Sequence, residues 1–131
     1  MSEPVFLTIE QIKILHHIAL ERHGGKDGVR DAATLESAAL HPCNVWLYGQ
    51  GDLFDIAAAY AFHLAQAQAF IDGNKRTGIG AALVFLEGNG ASVPEATEEL
   101  YQAMIAVAER RMDKPGLAAL LRRLCGPSGA A

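Results

Sequence analysis

Gln68–Ala69–Phe70–Ile71–Asp72–Gly73–Asn74–Lys75–Arg76–Thr77–Gly78 is a short polar break between two apolar runs, and its reading decides the fold. Upstream, Leu53 to Gln68 is alanine-rich and apolar on nearly every side, as expected of a helix at the centre of a fold. Asp52 suits its N-cap. Downstream, a second helix is expected from Asn74 to Glu87, stopped by Gly88–Asn89–Gly90. The charged end of the break therefore falls at a helix start.

Working outward, Thr8 with Gln11 is a capping-box pattern, followed by Ile9, Ile12, Ile14, Leu15, Ile18 and Ala19 at roughly helical spacing. Gly24–Gly25 ends that helix. Lys26 to Arg30 reads as a loop, and Asp31 as the N-cap of a short helix through Leu40. Pro42 disfavours helix at His41, so His41–Pro42–Cys43–Asn44 is expected to break it. Val45–Trp46–Leu47–Tyr48–Gly49–Gln50–Gly51 then forms a hairpin or extended flap. Pro94 suits the first turn of a fifth helix to about Arg111, and Asp113 opens a sixth from Pro115 to Leu124. The expectation is all-α: a single domain over residues 1–131, about six helices with a short flap, a core from about 7 to 124 and a frayed tail at 126–131.

Bulk properties narrow the function classes. The chain has 131 residues, enough for one real core. A formal net charge of −4 argues against general affinity for nucleic acid backbones. Cys43 and Cys125 fit no metal spacing and are too few for a disulfide framework, which suggests reduced thiols in the cytoplasm. Met1–Ser2–Glu3–Pro4 lacks a basic region leading into an apolar run, so no signal peptide is expected. The apolar stretch from Ile56 to Ile71 is interrupted by His63, Gln66 and Gln68 and is too short and polar to span a bilayer.

The chemistry sits in the break itself. A helix N-terminus offers unpaired N–H groups and a positive dipole end, an anion site. Gly73 lets the backbone approach a ligand closely. Lys75 and Arg76 add a point charge and a planar fork suited to phosphate oxygens. Asp72 supplies a hard oxygen ligand where Mg²⁺ bridges phosphates. A Gly–Asn pair alone is more often a plain turn, and Lys–Arg on a helix start is more often a solvated face. Yet two cations at a helix N-terminus oppose the dipole, a misfit best understood if an anion binds between them.

Phe70-x-Asp72-Gly73-Asn74-Lys75-Arg76-Thr77 resembles the signature of the Doc (death-on-curing) branch of the Fic superfamily, H-x-F-x-(D/N)-(A/G)-N-K-R. Gly24–Gly25, Gly28–Val29–Arg30–Asp31, Leu35–Glu36–Ser37–Ala38 and the Leu83–Val84–Phe85–Leu86 run ending at Gly90 extend the likeness from about Leu7 to Leu124. The resemblance implies a bundle of about six helices with the motif loop capping a buried helix. Fic enzymes transfer part of a nucleotide to a target hydroxyl; Doc-type toxins bind ATP reversed and phosphorylate elongation factor Tu. Lys75 fits the Doc branch, since Fic proper has glycine there and a further arginine where this chain has Ile79. By this resemblance Asp72 binds Mg²⁺, Gly73, Asn74, Thr77 and the loop amides hold the phosphates of ATP or another nucleoside triphosphate, and Lys75 with Arg76 offset developing charge. A cognate antitoxin would cover the groove, and the Val45–Gly51 flap would align the target's backbone.

Gln68 stands where the family has its catalytic histidine. Glutamine can orient a hydroxyl but cannot take its proton near neutral pH. His63 lies about 140° round the helix from Gln68 and reads as a core or interface residue; no other histidine is assigned catalysis. Gln68 is either an inactivating substitution or natural drift; Ala65–Gln66–Ala67–Gln68–Ala69 also lacks the Asn and Pro that often flank the histidine, which favours drift. The expected function is thus a Doc-like toxin-type domain that binds Mg-ATP with impaired catalysis. The alternatives are a Fic-type nucleotidyl (AMP) transferase, which Lys75 would crowd, and a pseudoenzyme that binds protein and performs no chemistry.

Overall fold

The computed structural model describes residues 2–95 and 97–126. It contains six helices: α1 Ile9–His23, α2 Ala32–Leu47, α3 Leu53–Ala67, α4 Asn74–Gly88, α5 Glu98–Ala108 and α6 Lys114–Cys125. α3 is the hub and packs against α2, α4, α5 and α6, while α1 lies on α4 and α2. Its residues Ile56 to Ala61 are all buried at 2% exposure or less, so the runs of alanine serve to let neighbours close in from every side. The tightest approach is to α4. A Cβ at Gly78 would sit 2.8 Å from the Ala61 carbonyl oxygen, so only glycine permits this crossing. Tyr60 is fully buried, and its hydroxyl accepts the Leu7 N–H at 2.9 Å, removing the penalty for burying it.

The caps follow the sequence closely. Thr8 and Gln11 form the reciprocal capping box, Asp31 accepts from the Thr34 N–H, and Asp113 accepts from the Gly116 N–H. Asp52 accepts from Phe54 and Asp55 N–H and is also gripped by the Arg122 guanidinium, which ties the start of α3 to α6.

Several boundaries differ from the sequence reading. α2 does not break at Pro42 but continues to Leu47, so Val45, Trp46 and Leu47, expected in the flap, are its last turn. Leu35, Ala38, Pro42 and Val45 are buried at helical spacing on one face. That continuous burial outweighs the hydrogen bond proline removes from a helix interior. What remains of the flap is the turn after Tyr48, closed by Gln50 N–H donating to the Val45 carbonyl at 2.8 Å. α5 starts at Glu98 rather than Pro94 and ends at Ala108 rather than Arg111. Its buried stripe begins only at Leu100, and Arg110 adopts the left-handed conformation at φ 61°. α3 ends at Ala67, because Gln68 itself is left-handed at φ 49°, ψ 43°. Of the expected frayed tail, residues 127–131 lie outside the described residues, as does Ala96 within the range expected for α5.

His63, on α3, stacks on His41 of α2 with ring centroids 3.7 Å apart, and its Nε2 faces Lys114 Nζ of α6 at 3.0 Å. Burial, then the Lys114 and His41 charges, push its pKa from 6.5 down to about 4. Between those values the unfolded chain holds the extra proton, so stability is complete above 6.5 and falls as pH drops toward 4. Thermal melts across that window are expected to show this slope, and His63→Gln to flatten it. An equally steep slope in the variant would assign the effect to other groups.

Candidate functional site

The segment from Ala69 to Gly73 is held from both sides, and sequence explains how. Ala69 and Phe70 are apolar and buried, so the chain must enter the core before it can turn into α4. Inside, its backbone finds partners on the loop after α1. Arg30 and Asp31 N–H donate to the Ala69 carbonyl at 2.7 and 3.2 Å, Ile71 N–H donates to the Gly28 carbonyl at 3.0 Å, and Val29 and Phe70 form an antiparallel bridge. The Asn74 side chain completes the brace by accepting the Phe70 N–H at 3.1 Å and donating to the Phe70 carbonyl at 3.0 Å. Gly73 is the N-cap of α4, left-handed at φ 79°, a conformation that glycine adopts without strain.

This bracing leaves one set of groups turned outward. No side chain caps the N-terminus of α4, so its first N–H groups lack an intrahelical partner. They open on a cavity of about 260 Å³ whose lining includes Gln68, Asp72, Gly73, Lys75, Arg76 and Tyr101. The Asp72 carboxylate is exposed and accepts the Lys26 N–H through Oδ2 at 2.7 Å. Lys75 forms no ion pair among the described residues. The Arg76 guanidinium carbon lies over the Tyr101 ring, 3.7 Å from its centroid, and the guanidinium is 4.0 Å from a Glu98 oxygen. Stacking on an aromatic face holds a guanidinium without consuming its in-plane donors. A larger cleft of about 730 Å³ lies between α3 and the α5–α6 turn, lined by Phe62, Gln66, Arg110 and Met112 among others. The helix N-terminus at its edge, that of α6, is capped by the Asp113 side chain, so size does not make it the better anion site.

Gln68, Asp72, Gly73, Asn74, Lys75 and Arg76 thus share one cavity, as expected from sequence. Two placements correct the reading of individual side chains. Thr77 was expected among the phosphate-binding residues, but its side chain is wholly buried and does not line the cavity. Position 77 is one turn into α4 on the face packed inward, and its N–H already donates to the Gly73 carbonyl at 2.9 Å. Asn74 does line the cavity, yet its side-chain amide is engaged by Phe70, which leaves its backbone N–H for a ligand.

Two participants were missed. Tyr101 comes from α5, and nothing in its local sequence ties it to the loop. His16 had a signal: Ile12, His16 and Ala19 recur on the buried face of α1, so the histidine lies in an apolar stripe where a polar ring needs a partner. That partner is the Asp72 carbonyl, 2.8 Å from Nε2.

The cavity can receive phosphate oxygens on the α4 amides, Lys75 and Arg76. A single carboxylate suits Mg²⁺, which keeps several waters and takes further oxygens from phosphates. No cluster of three or more metal-ligating side chains occurs among the described residues, so an all-protein metal cage is not built here. Nor is any helix among the described residues long and apolar enough to cross a membrane.

Comparison with known proteins agrees with the motif. A model described as the Fic/DOC family matches residues 6–86. The "Protein kinase doc" of Escherichia phage P1 is 32% identical over 121 residues, covering 92% of this chain and 95% of that protein. The "Toxin Doc" of Mycolicibacterium smegmatis is 38% identical over 103 residues, covering 75% and 78% respectively.

Proposed function

The chain belongs to the Fic/DOC family, and from that premise we propose that it is the Doc-like toxin component of a toxin–antitoxin pair. In this reading it binds a nucleoside triphosphate with Mg²⁺ and is built to pass a phosphoryl group to a protein hydroxyl. The observation that carries the reading is the uncapped N-terminus of α4 opening on the same cavity as Lys75, Arg76 and the Asp72 carboxylate. At about 260 Å³ the cavity is smaller than the roughly 300–1,000 Å³ of clefts for drug-sized ligands. It suits a phosphate chain, with the nucleoside lying outside.

Asp72 would hold Mg²⁺, which would supply charge neutralisation to the phosphates when bound. The α4 amides and Lys75 orient the phosphate oxygens, and Arg76 offsets charge as the phosphoryl group moves. Gln68 at the rim orients the target hydroxyl but takes no proton from it, so transfer is slow. An elongation factor Tu-like translation factor is the proposed target, an antitoxin the partner that covers the groove, and the cytoplasm the site of action. One observation favours a second reading: Gln68 is exposed at the rim and no histidine among the described residues lines the cavity, so the domain also fits a pseudoenzyme that retains binding alone.

Calorimetric titration with ATP tests the site. Affinity is expected to depend on Mg²⁺, and Asp72→Ala to remove that dependence while leaving the melting temperature nearly unchanged. Equal affinity with Mg²⁺ and with chelator in the unaltered protein would refute the reading.

A further inference from the structure

We propose that His16 is a positioning residue for the phosphate loop, holding the Asp72–Gly73 peptide so that the Asp72 carboxylate and the α4 amides face the cavity. Its consequence for nucleotide rests on the phosphate-site reading above; its action on the loop does not. His16 is 3% exposed and comes from the middle of α1, remote in sequence from the motif. Its Nε2 is 2.8 Å from the Asp72 carbonyl oxygen, and its ring stacks on Phe70 with centroids 3.8 Å apart and planes 10° from parallel. A Cβ at Gly73 would lie 3.5 Å from its Cδ2. One side chain thus contacts both Phe70 and Asp72 and lies close beside Gly73.

The chemistry goes beyond filling space. A carbonyl only accepts, so Nε2 carries the hydrogen and donates. Nδ1 then faces Asp27 Oδ1 at 3.9 Å. A phenylalanine would fill the same volume but leave the Asp72 carbonyl without this donor. Asp72 is consequently held twice, at its carbonyl by His16 and at its carboxylate by the Lys26 N–H. Both contacts come from α1 and the loop that follows it, so α1 sets the pose of a residue it never meets in sequence. His16 is no substitute for the missing base, because Nε2 is committed to a carbonyl and the ring does not line the cavity.

The test compares the full chain with His16→Phe and His16→Gln. In His16→Phe, the hydrogen-bonded loop amides of Phe70, Ile71 and Thr77 are expected to exchange about tenfold faster, with α6 unchanged. Mg²⁺-dependent ATP affinity should fall about 10–100-fold, as when a group supporting a metal ligand is lost, with a smaller fall in Mg²⁺-free affinity. His16→Gln keeps a side-chain donor and should recover most of both. Unchanged exchange in His16→Phe, acceleration spread equally into α6, or no recovery in His16→Gln would each overturn the proposal. Nitrogen-15 shifts of His16 in the unaltered protein give a readout that needs no variant to fold: a bare Nε2 overturns it, a protonated Nε2 supports it. If the unaltered protein shows no Mg²⁺-dependent affinity, the phosphate-site reading falls, and the exchange data still decide what His16 does to the loop.

Discussion

Gln68→His is expected to raise phosphoryl transfer about 10²–10⁴-fold, the usual contribution of a positioned general base, or roughly 3–5 kcal/mol of barrier. The backbone favours the change. Gln68 is left-handed at φ 49°, a region where histidine is enriched over most other side chains, so the substitution adds no strain. Its side chain is exposed at the cavity rim, so a ring fits without repacking. The other groups of the proposed phosphate site line the same cavity: Gly73 and Asn74 at the start of α4, Lys75, Arg76 and Asp72. Intact-mass measurement of elongation factor Tu incubated with Mg²⁺, ATP and each protein reads the result. A phosphoryl-sized addition from the histidine version alone identifies a kinase scaffold silenced at one position. Equal addition by both would show that no base is needed at position 68. A nucleotidyl-sized addition would move the assignment to AMP transfer, and no addition by either would favour the pseudoenzyme.

How far sequence reaches is clearest at particular residues. Four helix starts were legible because caps are local: Thr8, Asp31, Asp52 and Asp113 each accept a backbone N–H within three residues, whereas α5, which has no side-chain cap, was misplaced. The end of α2 was not, because Pro42 is a local break signal overridden by a buried face that only the packed α3 creates. The same division runs through the site. Asp72, Gly73, Lys75 and Arg76 are contiguous, so motif and helix start together located them. Tyr101 and His16 reach the loop from α5 and α1, and contacts that distant leave no mark on the motif itself. Thr77 shows the reverse error: adjacency to the motif suggested a ligand contact that the helical period turns inward.

Arg76→Ala in the Gln68→His background is expected to lower transfer by about 10²–10³, the cost of removing one preorganised group that stabilises transition-state charge. Stability should hardly move. The side chain is 23% exposed, its Glu98 partner is 4.0 Å away and exposed, and such an ion pair adds little. Its stacking on Tyr101 contributes about 0.5–1 kcal/mol. The comparison that isolates the chemistry is Arg76→Lys. It keeps the charge but gives up the planar fork and the contact with the Tyr101 ring, so it should recover only part of the loss. Tyr101→Leu should then weaken the arginine protein more than the lysine one, because only the guanidinium uses the ring face. Single-turnover transfer measured beside the melting temperature separates these effects. Full transfer by the alanine variant would place the transferred group away from α4 and remove the basis for the site.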